Sequence, residues 1–149
     1  MPVSLNEFAD RLNKIMPVVM KAFIRRSTQE LYKGKITLPQ LLILVFLEEE
    51  GESRMTDLAC FMKVSTAAMT GIVDRLVRYG YLLRVYDPKD RRTIKVRLNS
   101  SGLELIKKIA RQRRKMVISI FGQISEAERE EYLRILTRIH DILTKEGKA

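Results

Sequence analysis

The chain of 149 residues has room for one domain with a sizeable core, burying roughly two thirds of its unfolded surface. Its 46% hydrophobic and 31% charged residues exclude a disordered chain, its single cysteine excludes an internal disulfide or a multi-cysteine metal site, and its single histidine excludes a His-rich one. The net charge of +10, from 28 Lys and Arg against 18 Asp and Glu, favours a polyanionic partner such as nucleic acid or an anionic membrane face.

Leu5, Phe8, Leu12, Ile15, Met16, Val19 and Phe23 recur at three- and four-residue spacing and predict an amphipathic first helix, which Pro17 is expected to kink or restart. Thr37 to Gln40 fits a capping box, in which the two side chains satisfy orphan amides. It predicts a second helix through the apolar run Leu41 to Leu47, closed by Gly51. That run is far too short to span a bilayer and has no basic start before it, so the chain is expected to be cytoplasmic, with no membrane partner. Thr56 is expected to cap a short third helix bearing Leu58, Phe61 and Met62. Lys63, Val64 and Ser65 then form a tight turn, and Ser65 caps a fourth helix that runs to about Tyr79 and ends at Gly80.

Leu82 to Tyr86 and Thr93 to Leu98 read as the two strands of a hairpin. In the second, Ile94, Val96 and Leu98 alternate toward the core while Thr93, Lys95 and Arg97 face solvent. Asp87-Pro88-Lys89-Asp90 fits a type I turn between them. Asn99 can cap a long helix carrying Leu103, Ile106, Ala110, Val117, Ile120 and Phe121. Ser125 and Glu128 make a second capping box, followed by the stripe Tyr132, Ile135, Leu136, Ile139 and Leu143 of a last helix. Basic charge concentrates in two places: six basic residues stand against two acids from Arg84 to Arg97, and six against none from Lys107 to Lys115. Glu126, Glu128, Glu130 and Glu131 reverse the sign where they suit the positive end of the last helix. With no repeat and no long linker, these elements describe a mainly α single domain with a small β-hairpin.

The fourth helix has two unlike faces. Met69, Ile72, Val73, Leu76 and Val77 form a core-facing stripe, while Ala67, Ala68, Thr70, Gly71, Asp74, Arg75 and Arg78 lie opposite. Gly71 inside a helix costs on the order of 1 kcal/mol relative to Ala. A face of small residues and hydroxyls lets backbone approach base edges in a major groove, Ala touch a thymine methyl, and Ser or Thr bond bases or phosphates. The same face could instead pack against another helix. Its position after a short helix and a three-residue turn favours the groove. At the hairpin tip, Asp90 lies two residues before Arg92 and is expected to hold its guanidinium, ready for a narrow minor groove. A solvated basic turn, with an ion pair worth under about 1 kcal/mol, would look similar in isolation.

Helix, turn, recognition-like helix and basic hairpin together make a winged helix-turn-helix. At Thr37 and Gln40, "DLACFMKVSTAAMTGIVDRLVRYGYLLR", "DRR" at Asp90 to Arg92 and "VRLNSSG", the sequence resembles the MarR family of bacterial transcriptional regulators. The resemblance covers roughly Leu5 to Leu143. It implies dimerisation helices at about residues 1–34 and 100–149 around a winged helix-turn-helix DNA-binding lobe at about 35–99. It puts Ser65, Thr66, Ala67, Ala68, Thr70, Gly71 and Arg75 on the groove-facing helix, Arg92 in the minor groove, Asp90 as its orienting acid, and Lys89 and Arg91 near phosphates. Gly71 stands where many members carry a larger base-reading side chain, and Asn99 replaces the usual threonine cap.

The implied function is a sequence-specific double-stranded DNA-binding regulator, a ligand-responsive repressor acting as a homodimer on a pseudopalindromic operator. A small aromatic or anionic effector is the ligand type the resemblance implies. A winged-helix protein-interaction module without DNA readout is the alternative. No enzyme, cofactor or metal site is expected, because one His, one Cys and no glycine-rich phosphate loop assemble no catalytic set. Cys60 lies in the third helix, not in the first, where the peroxide-sensing branch keeps its thiol, and is expected to be a small core residue. His140 is expected at the surface or dimer interface, and Met16, Met20, Met62, Met69 and Met116 in the core.

Overall fold

The computed structural model describes residues 2–32 and 35–147, with side chains of residues 28–32 left aside. The elements in chain order are α1 (Leu5–Tyr32), α2 (Leu38–Glu50), β1 (Ser53–Arg54), α3 (Met55–Met62), α4 (Thr66–Arg78), β2 (Leu82–Tyr86), β3 (Ile94–Leu98), α5 (Ser100–Phe121) and α6 (Glu126–Glu146). The chain divides into two compact units, Met1–Gln112 and Arg113–Ala149. The expected lobe boundary at residues 34 and 35 falls on Gly34, outside the described residues. Among the described residues no helix is long and apolar enough to cross a membrane.

The core of the first unit forms around α2, whose run LLILVFL is apolar on almost every side. Ile43, Leu44 and Leu47 are buried there with Leu58 of α3, Met69, Val73 and Leu76 of α4, Leu82 of β2, Val96 of β3, and Leu105, Ile106 and Ile109 of α5. Each such side chain contributes roughly 1.5–3 kcal/mol by leaving water. The capping box forms as expected: the Gln40 amide donates to Thr37 Oγ1 at 3.4 Å, and the Thr37 amide donates to Gln40 Oε1 at 3.0 Å. Gly51, at φ 75, ends α2 and donates to the Leu47 carbonyl.

The hairpin is part of a three-stranded antiparallel sheet, because β1 pairs with the far edge of β3 in the order β1-β3-β2. Ser53 lies opposite Val96 and Arg54 opposite Lys95, while Leu82 pairs with Leu98 and Tyr86 with Ile94. Two residues are too few to show an alternating pattern, so the extra strand left no mark in the sequence. Covered on both edges, β3 buries Val96 completely and leaves Ile94 and Leu98 half-buried. Lys95 is half-buried too, beside Glu52 at 3.7 Å.

Several local expectations change. Helix α1 continues through Pro17 as one 28-residue helix, so of the expected kink or restart the restart does not occur. Its expected stripe is present but unburied: Leu5, Phe8, Leu12, Ile15, Met16 and Val19 are all exposed. Thr56 lies inside α3, whose cap position is Arg54 without a side-chain bond. The buried line of α5 is Leu105, Ile106 and Ile109, with Met116 beyond them, while Leu103, Ala110 and Val117 are exposed. Cys60 is exposed, because α3 buries Leu58 and Ala59 and turns Cys60 away from that side. Of the methionines, Met69 and Met116 are buried, Met62 is half-buried, and Met16 and Met20 are exposed.

In the second unit, α6 starts with the expected capping box: the Glu128 amide donates to Ser125 Oγ at 3.3 Å and the Ser125 amide to Glu128 Oε2 at 2.8 Å. Those bonds hold the Glu128 carboxyl below the ordinary carboxylate range, the backbone bond being the larger cause. Arg129 donates to the Phe121 and Ile124 carbonyls and so clamps the turn before α6. None of α6 is buried. His140 is exposed there, 3.3 Å from Asp141.

Candidate nucleic-acid interface

The helix-turn-helix is set by a left-handed residue. Lys63, at φ 53 and ψ 44, stops α3, where its amide reaches the Cys60 carbonyl at 3.2 Å and the Val64 amide reaches Ala59 at 3.1 Å. Ser65 then opens α4 by accepting from the Ala68 amide at 3.1 Å. The turn is the expected Lys63-Val64-Ser65.

In α4, Met69, Val73 and Leu76 are completely buried. On the other side Ser65, Thr66, Ala67, Ala68, Thr70, Gly71, Arg75 and Arg78 are all exposed. Apart from its chain neighbours and its own helix's backbone, a Cβ placed on Gly71 would have no atom within 4 Å. Around Gly71, therefore, the small-residue face is uncovered within the chain, and packing does not explain the missing side chain there. Thr70 Oγ1 donates to the Thr66 carbonyl at 2.9 Å, so its hydroxyl proton is held by its own helix until another acceptor draws it away.

The wing tip differs from the expected turn. The Asp87 side chain accepts from the Lys89 amide at 2.8 Å, and the backbone turn closes three residues later, with the Thr93 amide donating to the Asp90 carbonyl at 3.0 Å. Asp90 braces backbone and not guanidinium: its carboxylate accepts from the Arg92 amide at 3.0 Å and the Thr93 hydroxyl at 3.3 Å. A carboxylate two residues ahead sits closest to the turn's own amides, as in an Asx-turn. Asp90 therefore fixes where the Arg92 side chain starts and leaves its far end unheld. Lys89, Asp90, Arg91 and Arg92 are all exposed, and among the described residues no acid pairs with Arg92.

Wing and helix meet in one cleft of about 390 Å³, to which α4 contributes Thr66 and Thr70, the wing Arg92, and the neighbouring elements Arg54, Thr56 and Arg84. Its lining holds three arginines and no acid. Ala67, Ala68, Gly71 and Arg75 lie outside that lining, farther round α4, and Lys89, Asp90 and Arg91 stay at the wing tip. Reading the sequence missed Arg54 and Arg84. Arg84 also forms an ion pair with Asp74, joining β2 to α4. The signal for this pair was the single acid, Asp74, on an otherwise small and basic face, and only the fold supplies its partner.

Arg54 is paired with Asp57 at 3.1 Å and Arg84 with Asp74, so Arg92 is the arginine of the cleft with no acid paired to it among the described residues. Comparisons with known proteins agree on the class of protein. The MarR family model matches residues 36–94, from just before α2 into β3. An HTH-type transcriptional regulator of Mycobacterium bovis is 30% identical over 112 residues, 73% of this chain and 78% of that protein. The structure of a MarR family protein from Bacillus stearothermophilus superposes with a TM-score of 0.83 at 25% identity, covering 95% of this chain and 99% of that one. A mutant of MepR from S. aureus, bound to an oligodeoxyribonucleotide, shares the fold with a TM-score of 0.68 at 21% identity over 88% of this chain and 96% of that one. The chain belongs to the MarR family, whose relatives found here are transcriptional regulators and not enzymes.

Proposed function

We propose that this regulator binds double-stranded DNA sequence-specifically as a homodimer, and that it is a cytoplasmic, ligand-responsive repressor acting on a pseudopalindromic operator. The observation that carries the DNA reading is the exposed α4 face from Ser65 to Arg75 beside the arginine-lined cleft that includes Arg92. In this reading Thr66, Ala67, Ala68, Thr70 and Gly71 meet base edges, Ser65 and Arg75 meet phosphates at the two ends, and Arg92 enters the minor groove. Asp90 positions the Arg92 backbone, and Lys89 and Arg91 lie near phosphates.

The homodimer is supported by α1 and α6, which leave Leu5, Phe8, Leu133, Ile139 and Leu143 exposed. A two-fold axis would set the two α4 helices about one DNA turn, roughly 10 bp, apart. The proposed domain organisation follows, with residues 1–34 and 100–149 pairing and 35–99 reading DNA. The ligand in this reading is a small aromatic or anionic effector. Occupancy of a promoter by such a dimer would block transcription, the basis for assigning repression.

The test is a gel shift at fixed salt with the DNA upstream of the chain's own gene, after retention on heparin. Wild-type protein is expected to prefer that duplex over a scrambled one. Arg92→Ala should weaken binding in every sequence context and lower the salt slope by about one, whereas Thr70→Val should change sequence preference. Unchanged affinity in Arg92→Ala sinks the wing assignment. Heparin retention without preference for any duplex would favour the protein-interaction module.

A further inference from the structure

The end of α4 and the start of α5 meet at one point. Gly80, at φ 81, ends α4, its amide donating to the Val77 carbonyl at 3.0 Å while the Tyr81 amide donates to Leu76 at 3.0 Å. From the other side, the Asn99 amide donates to the Tyr81 carbonyl at 3.2 Å. Gly102 lies so close to that carbonyl that a Cβ would stand 2.2 Å from its oxygen. The Asn99 side chain spans this junction: Oδ1 accepts from the Gly102 amide at 2.8 Å, and Nδ2 donates to the Gly80 carbonyl at 2.6 Å. Its orientation is set by chemistry on both sides, because an N–H requires an acceptor and a carbonyl requires a donor.

Capping α5 needs only the first of these bonds, and Ser, Thr or Asp would supply it. The second, to a carbonyl 19 residues back, needs a donor at the reach of an Asn amide. We propose that Asn99 is a positioning residue for operator recognition: its bond to Gly80 fixes the end of α4 against α5 and sets the pose in which α4 meets base edges. At roughly 1.5 Å per residue, 13-residue α4 spans about 20 Å, so a tilt of about 5° at its anchored end moves its first turn by roughly 1.7 Å. Hydrogen bonds to base edges do not survive such a shift, whereas long Lys and Arg side chains follow phosphates across it. This inference rests on the reading of α4 as the DNA-reading helix.

The test compares two affinities at one salt concentration: for a duplex selected from a random-sequence library by wild-type protein, and for a scrambled duplex of the same composition. Asn99→Ser keeps a neutral cap and loses the reach to Gly80. Asn99→Asp keeps cap and length but sets a carboxylate against the carbonyl. Both are expected to lower the ratio of selected to scrambled affinity about tenfold. Partial unfolding reduces both affinities equally and leaves their ratio unchanged, so a purely structural role would not move it. A wild-type ratio in both variants overturns the proposal alone. If the wild-type protein selects no duplex, the DNA-reading assignment of α4 fails first, and this inference fails with it.

Discussion

Helices α4 and α6 carry apolar stripes of similar regularity, yet their stripes end in opposite environments. Met69, Val73 and Leu76 are wholly buried, whereas α6 leaves Leu133, Ile135, Leu136, Ile139, Ile142 and Leu143 exposed. The difference lies in neighbours and not in pattern: α4 has α2, α3 and β2 against it, and its stripe is completed by their side chains. Periodicity specifies that a face will be buried. It does not say by what.

The sharpest way to break this comparison is to remove one side chain from each stripe. Leu76→Ala should lower stability by about 2–5 kcal/mol in a denaturant melt, since it leaves a cavity in a close-packed core. A loss below about 1 kcal/mol would mean that the lobe repacks as freely as an exposed helix. The converse experiment places charges on α6. Leu136→Asp with Ile139→Asp should raise the dimer dissociation constant roughly thirtyfold or more in sedimentation, the equivalent of about 2 kcal/mol. Wild-type protein sedimenting as a folded monomer at micromolar concentration would remove the partner assigned to that stripe.

Two smaller effects sharpen the contrast. Gly71→Ala should stabilise the fold by about 0.5–1 kcal/mol, because it restores helix propensity where a Cβ meets nothing within 4 Å. Thermal melts of the free protein will show the gain, and a loss would reveal a neighbour at that face. The smallest effect is acid sensitivity of α6. Glu128 is held below the ordinary carboxylate range by its bonds to Ser125, and Glu131 by its bond to Arg134. A lowered carboxyl stabilises the fold above its unfolded value and loses that contribution as pH falls through the folded value. Protection of α6 amides against hydrogen exchange, taken relative to the intrinsic exchange rate at each pH, should therefore fall below the ordinary carboxylate range, and Glu128→Gln should flatten that dependence. Equal acid sensitivity in the variant would assign the effect elsewhere.

Much of the lobe was legible because its signals are local. Thr37 with Gln40, Ser65, Asn99, and Ser125 with Glu128 all cap the helices expected of them, and Leu82 to Tyr86 is a strand at the expected bounds. The small face of α4 was also legible, since absence of bulk over several turns is visible residue by residue. What escaped depends on distant chain. Strand β1 exists because β3 offers it a free edge, and Asp74 meets Arg84 only once β2 folds beside α4. Cys60 and Asp90 were misplaced for subtler reasons. An eight-residue helix has too few turns to show which side is buried, and a carboxylate two residues from an arginine meets backbone amides first.

The bare space around Gly71 bears on how such a protein changes over generations. A substitution in a core must be matched by its neighbours, so it moves slowly. At position 71 a Cβ meets no atom beyond its own helix's backbone within 4 Å and relieves a helix of its least favourable residue. If α4 reads DNA as proposed, a change in preference could arise there in one step with no loss of folding, leaving the DNA site and the fold free to evolve separately.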